Sequence, residues 1–221
     1  MIFHISVDKV YYDNFYEYFS KSFEKFYPDC DLSLNFIGTE LPKNFPKKYF
    51  TMENTPLSDI SNLGHYVVSR WRTLPEVGEH VLMSDVDTVC VKRLNFDKIE
   101  ELFREHQVIN LTWKHASGRE GGESGIIFRN DIVSEINSLS KKVINENNLR
   151  YDLDLDIRRE ILKRYNLVKF PEVHQIKRVG SSLFYDDYDN RSFVVPPCVN
   201  QRGTIQFKRD ILEKAFNRII V

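Results

Sequence analysis

Residues 2–7 alternate apolar and polar side chains, Ile2-Phe3-His4-Ile5-Ser6-Val7, and this period of two predicts a strand from the first residues onward. The period then lengthens. Phe15, Phe19, Phe23 and Phe26 recur at helical spacing, which predicts an amphipathic helix capped by Asp13 or Asn14 and closed by Tyr27-Pro28-Asp29. An aromatic stripe of this kind belongs to a core-facing helix. Alternation returns over Leu32 to Gly38 as a second strand, so the chain opens β-α-β, the pattern of a parallel pair joined by a right-handed crossover. Residues 39–60 carry Pro42, Pro46 and Pro56 with little periodicity and read as an irregular excursion. A helix follows from about Ser61 to Leu74, ended by Pro75, with Leu63, Tyr66, Val67, Trp71 and Leu74 on one face. Arg70 falls within that face. An arginine turned toward a core is seldom left unpaired, so its partner is a structural carboxylate or a ligand phosphate.

Further along, the pattern predicts a strand into Asp85, a helix over about Phe96 to His106 and a strand at Val108 to Leu111. Residues 114–124 are polar and Gly-rich, a loop of the length that usually carries function. Gly125-Ile126-Ile127-Phe128 reads as a strand, and Ile132, Ile136, Leu139, Val143 and Ile144 mark a helix from Asp131. Another helix covers about Asp154 to Tyr165, and the remainder mixes short strands with a last helix near Lys208 to Ile219. No internal repeat interrupts the alternation. One α/β domain with a mostly parallel central sheet flanked by helices is the expected architecture.

The run Val81-Leu82-Met83-Ser84-Asp85-Val86-Asp87-Thr88-Val89 carries the most chemistry. Side chains at i and i+2 of a strand point the same way, so Asp85 and Asp87 are expected to converge at a strand end. Two anions that close repel, and burial raises the cost. A divalent cation, Mn²⁺ or Mg²⁺, relieves the conflict, because carboxylate oxygens are its natural ligands. The plainer alternative is a strand ending in an Asx-type turn with two solvated aspartates.

Composition narrows the classes. A chain of 221 residues can bury a full core, and 42% hydrophobic with 29% charged residues is ordinary for a globular protein. The net charge of −1 and the scattered basic pairs argue against a nucleic-acid partner. Cys30, Cys90 and Cys198 have neither zinc-ligand spacing nor the even number of a disulfide framework, so reduced thiols are expected. The first residues are too polar for a signal-peptide core, and no apolar stretch approaches the ~20 residues of a membrane span. A cytoplasmic location is the expectation.

Ligands of open α/β sheets sit beyond the carboxyl ends of the strands. Asp8 to Tyr12, Asp85 with Asp87, and the 114–124 loop all fall there. Neither GxGxxG nor a P-loop occurs, which argues against dinucleotide and P-loop nucleotide binding. A base could be held by the Asp8 carboxylate or a backbone amide and by stacking on Tyr11 or Tyr12, unless those tyrosines simply pack at a helix edge.

These segments resemble, in order, a GT-A-fold glycosyltransferase of the glycogenin-like and lipopolysaccharide-galactosyltransferase group. The opening Ile2 to Asp8 with Tyr11 is similar to that group's first strand and its Asp/Asn-Tyr. Tyr66 to Arg70 resembles its Tyr/Arg-bearing helix, Asp85-Val86-Asp87 its Asp-x-Asp motif, and Glu123-Ser124-Gly125-Ile126 its Asn-Ser-Gly strand start. Asp152-Leu153-Asp154-Leu155-Asp156 lies where the group has Asp-Gln-Asp. The resemblance implies a metal-dependent hexosyltransferase that moves a sugar from a nucleotide sugar, a UDP-sugar, to a hydroxyl acceptor such as a glycan, with retention. It assigns Val7, Asp8, Tyr11, Tyr66, Arg70, Asp85 and Asp87 to the donor. Asp85, Asp87 and His174 go to Mn²⁺ or Mg²⁺, and Glu123, Asp154 and Asp156 to catalysis. Residues 1–110 would form the nucleotide-sugar and metal half, and 111–221 the acceptor half. Departures are visible: Leu153 or Leu155 stands where the group has its glutamine, and His174 with Lys177 and Gly180 only loosely matches its C-terminal His, Gly and Lys-Pro-Trp.

Two other functions fit parts of the pattern. Asp85-Val86-Asp87-Thr88-Val89 matches the Asp-x-Asp-x-Thr/Val signature of haloacid-dehalogenase-type phosphatases, with Asp85 as nucleophile. That family carries the motif on its first strand, and here two strands and a long helix precede it. A non-catalytic nucleotide- or sugar-binding module is the other alternative.

Overall fold

The first strand, β1 (Ile2–Asp8), runs directly into α1 (Lys9–Phe26), and the residue at the junction is the helix cap. In this computed structural model, which describes residues 1–46, 50–53, 69–112, 125–146, 153–175, 177–179, 182–184, 191–196 and 205–220, the Asp8 carboxylate accepts the Tyr11 N–H at 2.8 Å. The helix therefore starts several residues before the expected caps Asp13 and Asn14. The strand reaches its last residue already carrying a capping side chain, so no connecting loop is needed. Phe15, Phe19 and Phe23 are buried as the stripe predicts.

β2 (Asp31–Ile37) pairs parallel to β1, and β3 (Phe50–Glu53) pairs parallel to β2. The strand β3 lies inside the stretch expected to be irregular. Its four residues are too few to show a period between prolines. β4 (His80–Ser84) pairs parallel to β1 on its other side, and β5 (Val89–Cys90) follows after a four-residue bend. Then come α2 (Phe96–Phe103), β6 (Val108–Thr112), β7 (Ile126–Arg129), α3 (Val133–Glu146) and α4 (Leu153–Arg164). The chain ends with β8 (Leu167–Gln175), β9 (Lys177–Val179), β10 (Ser182–Phe184), β11 (Phe193–Val195) and α5 (Ile205–Ile220).

Nine strands form one sheet in the order β3-β2-β1-β4-β7-β6-β8-β11-β5, with β9 and β10 as a separate hairpin. Only β7 and β5 run against the rest, so the sheet is mostly parallel. The sheet also curls. Five inter-strand steps separate β4 from β5, about 24 Å if flat, yet the chain from Ser84 to Val89 spans at most about 18 Å.

Two apolar layers cover the faces. Phe3, Ile5, Val7, Leu34, Leu82, Ile109 and Ile127 pack with α1 and with Leu212 and Phe216 of α5. Val81, Met83, Val108, Ile126 and Phe128 alternate with them and pack on the other face with Trp71, α3 and α4. Gly125 opens β7 at φ +77°, where a Cβ would stand 2.7 Å from Val173 and 3.3 Å from Leu111. Backbone shape and space together call for glycine there. Among the described residues, no helix is long and apolar enough to cross a membrane.

Candidate functional site

β4 stops at Ser84, so Asp85 and Asp87 do not sit on a strand at all. They flank a bend whose intervening Val86 is 2% exposed and anchored in the first apolar layer. Strand alternation does not apply to a bend, and the two carboxylates have unequal surroundings: the Asp85 side chain is 37% exposed and that of Asp87 10%. Each meets a cation. Arg70 donates to Asp85 Oδ1 at 2.5 Å, and Lys208 Nζ donates to Asp87 Oδ2 at 2.6 Å. The two cations come from opposite faces of the sheet, Arg70 from the α3 side and Lys208 from the α5 side.

Arg70 opens a single 3₁₀ turn, Arg70–Arg72, held from below by polar side chains of β1 and β2. Asn35 Nδ2 donates to Ser69 Oγ at 2.6 Å and to Ser6 Oγ at 3.0 Å. His4 hydrogen-bonds Ser33 Oγ at 3.0 Å and Thr73 Oγ1 at 3.2 Å. These contacts grip the residues on either side of the turn. Trp71 beside Arg70 is fully buried, and Asn137 of α3 both donates to and accepts from the Leu74 backbone. The guanidinium is thus delivered on a rigid support, the condition for directional ion pairing.

Lys208 lies one helical turn before Ile211 and Leu212, and two before Ala215 and Phe216, so it shares the buried stripe of α5. Its side chain is 12% exposed. The ammonium stands 5.3 Å from the centre of the Tyr11 ring and 3.4 Å from the Tyr11 hydroxyl. Burial disfavours the charged ammonium, but Asp87 and Tyr11 outweigh it and push the Lys208 pKa well above the usual lysine range. Tyr11 is raised in turn, first by burial and then by the Asp87 charge. The sequence reading missed Lys208, although the signal that singled out Arg70, a cation within an apolar helix face, is present in α5 as well.

The other expected site residues divide. Val7 is 1% exposed and belongs to the core, so only its backbone could meet a ligand. Asp8 is 4% exposed and caps α1. Tyr12 stacks on Tyr16 with centroids 4.5 Å apart and donates to the Asn44 carbonyl, which is packing. Asp154 is the second residue of α4, which runs about 18 Å from the carboxyl edge of the sheet back to its amino edge. Asp156 accepts from Arg159 at 2.9 Å in a groove between α3 and α4. His174 lies on β8, two strands from Val89 in the sheet register. Tyr66, Glu123 and the 114–124 loop lie outside the described residues.

Oxygen donors at Asp85 and Asp87 suit a divalent cation by chemistry, but as arranged Lys208 already holds one of the Asp87 oxygens and competes with a cation for it. A dication bound at ~2.1 Å through the same Asp87 oxygen would lie no more than about 4.7 Å from the Lys208 ammonium. The repulsion there is about 7 kcal/mol at an effective dielectric of about 20. Glu79, His80 and Glu100 also bring ligand atoms within 4.8 Å of one another. That group sits at the amino end of β4, away from the bend, and His80 already hydrogen-bonds Glu100 at 2.6 Å.

No protein-family model matches the chain, and no curated protein matches it. Solved structures do. The galactosyltransferase LgtC in complex with donor and acceptor sugar analogues matches with a TM-score of 0.57 at 10% identity, over 100% of this chain and 97% of that one. An active-site variant of LgtC with glutamine replaced by glutamate matches at the same coverage and identity with a TM-score of 0.55. An agreement that runs end to end at so low an identity is one of architecture: this chain has the GT-A-type glycosyltransferase fold.

Proposed function

We propose that the protein transfers a hexose from a nucleotide sugar, a UDP-sugar, to a hydroxyl acceptor of glycan type. The observation that carries this reading is the convergence of Arg70 and Lys208 on Asp85 and Asp87 at the carboxyl edge of a LgtC-like sheet. Fixed cations there suit a diphosphate, whose charge they would bind in the donor and stabilise in the leaving group. Tyr11, Tyr66 and main-chain amides after β1 would meet the base and ribose. Asp8, being buried in its cap, would act through the helix start it fixes. Glu123 and Asp154 would serve the acceptor and the reacting sugar, with residues 111–221 supplying most of the acceptor side and transfer proceeding with retention.

The phosphatase reading is the less favoured one. Asp85 follows the fourth strand of the chain, not the first, and one of its oxygens is committed to Arg70. Turnover decides between enzyme and binding module. Incubating the full chain with a panel of UDP-hexoses should release UDP, through hydrolysis or transfer, faster than the Asp87→Asn variant does. Donor binding without any release would make the protein a module.

A further inference from the structure

We propose that Lys208 takes the place of the divalent cation in this donor site, so that the nucleoside diphosphate is bound without metal. The inference rests on the nucleotide-sugar reading and deepens it. Among the described residues, four charged groups meet at the bend: Asp85 with Arg70, and Asp87 with Lys208. Each carboxylate described there faces a cation, so the chain itself eases the mutual repulsion that would call for a dication.

The support of Lys208 is that of a fixed group. Its side chain and that of Asp87 are 12% and 10% exposed, the Tyr11 ring lies 5.3 Å from its ammonium, and the next turns of α5 are locked into the core by Leu212 and Phe216. A dication on Asp87 would either displace this ammonium or stand close to it as a second positive charge. A diphosphate meets no such obstacle. An ammonium offers three N–H donors, and among the described residues Lys208 meets two acceptors, Asp87 Oδ2 and the Tyr11 hydroxyl. One donor remains for a phosphate oxygen, and Asp87 keeps the ammonium aimed while it binds.

The test uses the full chain, with UDP as the probe, titrated calorimetrically in EDTA and again in Mn²⁺. The expected result is a UDP affinity that changes by less than about threefold between the two. Lys208→Met should weaken UDP in EDTA by about tenfold or more, the scale of a lost charge-assisted hydrogen bond. Lys208→Arg, which keeps the charge, should recover part of the loss. Manganese itself gives a second readout that needs no variant to bind UDP. Asp87→Asn should leave the free Mn²⁺ spin-resonance signal of the wild-type chain unchanged, and Lys208→Met, by exposing Asp87, should reduce it. UDP binding that appears only with Mn²⁺, a wild-type Mn²⁺ site abolished by Asp87→Asn, or unchanged UDP affinity in a folded Lys208→Met chain would each overturn the proposal while leaving the nucleotide-sugar reading in place. Absence of binding by UDP, ADP, GDP and CDP in both conditions would remove that reading, and the proposal with it.

Discussion

Lys208 and Asp87 stand 121 residues apart in the chain and 2.6 Å apart in space, each about nine-tenths buried. Such a pair ties the last helix to the centre of the sheet. Removing one partner leaves a buried charge uncompensated, at a cost of roughly 3–5 kcal/mol. Lys208→Met should therefore lower the unfolding free energy by about that much in urea denaturation. Pairing it with Asp87→Asn, which removes the stranded charge, should return a large part of the loss. If the double variant is no more stable than the single one, the ion pair is not what the lysine supplies.

Arg70 depends on groups below it, and this makes a second, separable expectation. Arg70→Ala should weaken UDP binding by tenfold or more, since charge-assisted bonds contribute roughly 1.5–3 kcal/mol. Asn35 lies beneath the turn and grips Ser69 next to Arg70. Asn35→Ala should thus weaken UDP as well, by a smaller factor, while Arg70→Ala in the Asn35→Ala background should add less than it does alone. Full additivity would mean that Asn35 acts on stability only.

Asp29 and Arg93 form a two-pronged surface pair, both N···O distances 2.6 Å, between the end of α1 and the segment after β5. Hydrogen bonds from Arg93 hold Asp29 at about 2, below its ordinary 3.8. A depressed carboxylate contributes stability above its unfolded value and loses it as pH falls toward the folded one. The contribution is therefore complete above about pH 4 and disappears between there and pH 2. Melting curves of Arg93→Ala should lose this acid-side slope relative to wild type, and carboxyl NMR should find Asp29 near its ordinary value in the variant.

Gly125 invites a backbone test. A residue with a Cβ would be strained at φ +77° and would meet Val173 at 2.7 Å. Gly125→Ala should cost about 1–3 kcal/mol in urea denaturation. A smaller cost would mean that β7 can shift to admit the methyl group.

How much of this could be read in the sequence follows from the range of each interaction. The α1 stripe and the β1 and β2 alternation are local patterns, and they appear where the periodicity places them, while most of the helix expected from Ser61 to Leu74 lies outside the described residues. Asp8 as cap was hidden because a strand and helix that share a junction leave no loop signal. The short β3 carries no period. The Asp85–Asp87 pair was visible as chemistry but not as geometry, since nothing in five residues distinguishes a strand end from a bend. Arg70 stood out as a charge on an apolar face, and its partner proved to be Asp85. Lys208 carried the same signal in α5, but its partner is a fold away, and only the packing of α5 on α1 brings it to the site.

The acidic run opening α4 separates two aspartates that the sequence grouped together. Asp154 is the second residue of that helix. Asp156, one half-turn on, is paired with Arg159 in the α3–α4 groove. A group that acts only in the transition state lowers the catalytic rate and leaves donor binding nearly intact. Asp154→Asn and Glu123→Gln should each reduce turnover by roughly 10²-fold, the scale of a lost acid or base, with UDP affinity preserved. Asp156→Asn should change neither, because an exposed ion pair of this kind contributes at most about 1 kcal/mol of stability and nothing to the reacting atoms. Steady-state kinetics beside UDP titration of the three variants separates the roles. Loss of turnover in Asp156→Asn would move the reaction toward the groove, and full turnover in both Asp154→Asn and Glu123→Gln would leave the acidic run as nothing more than a helix start.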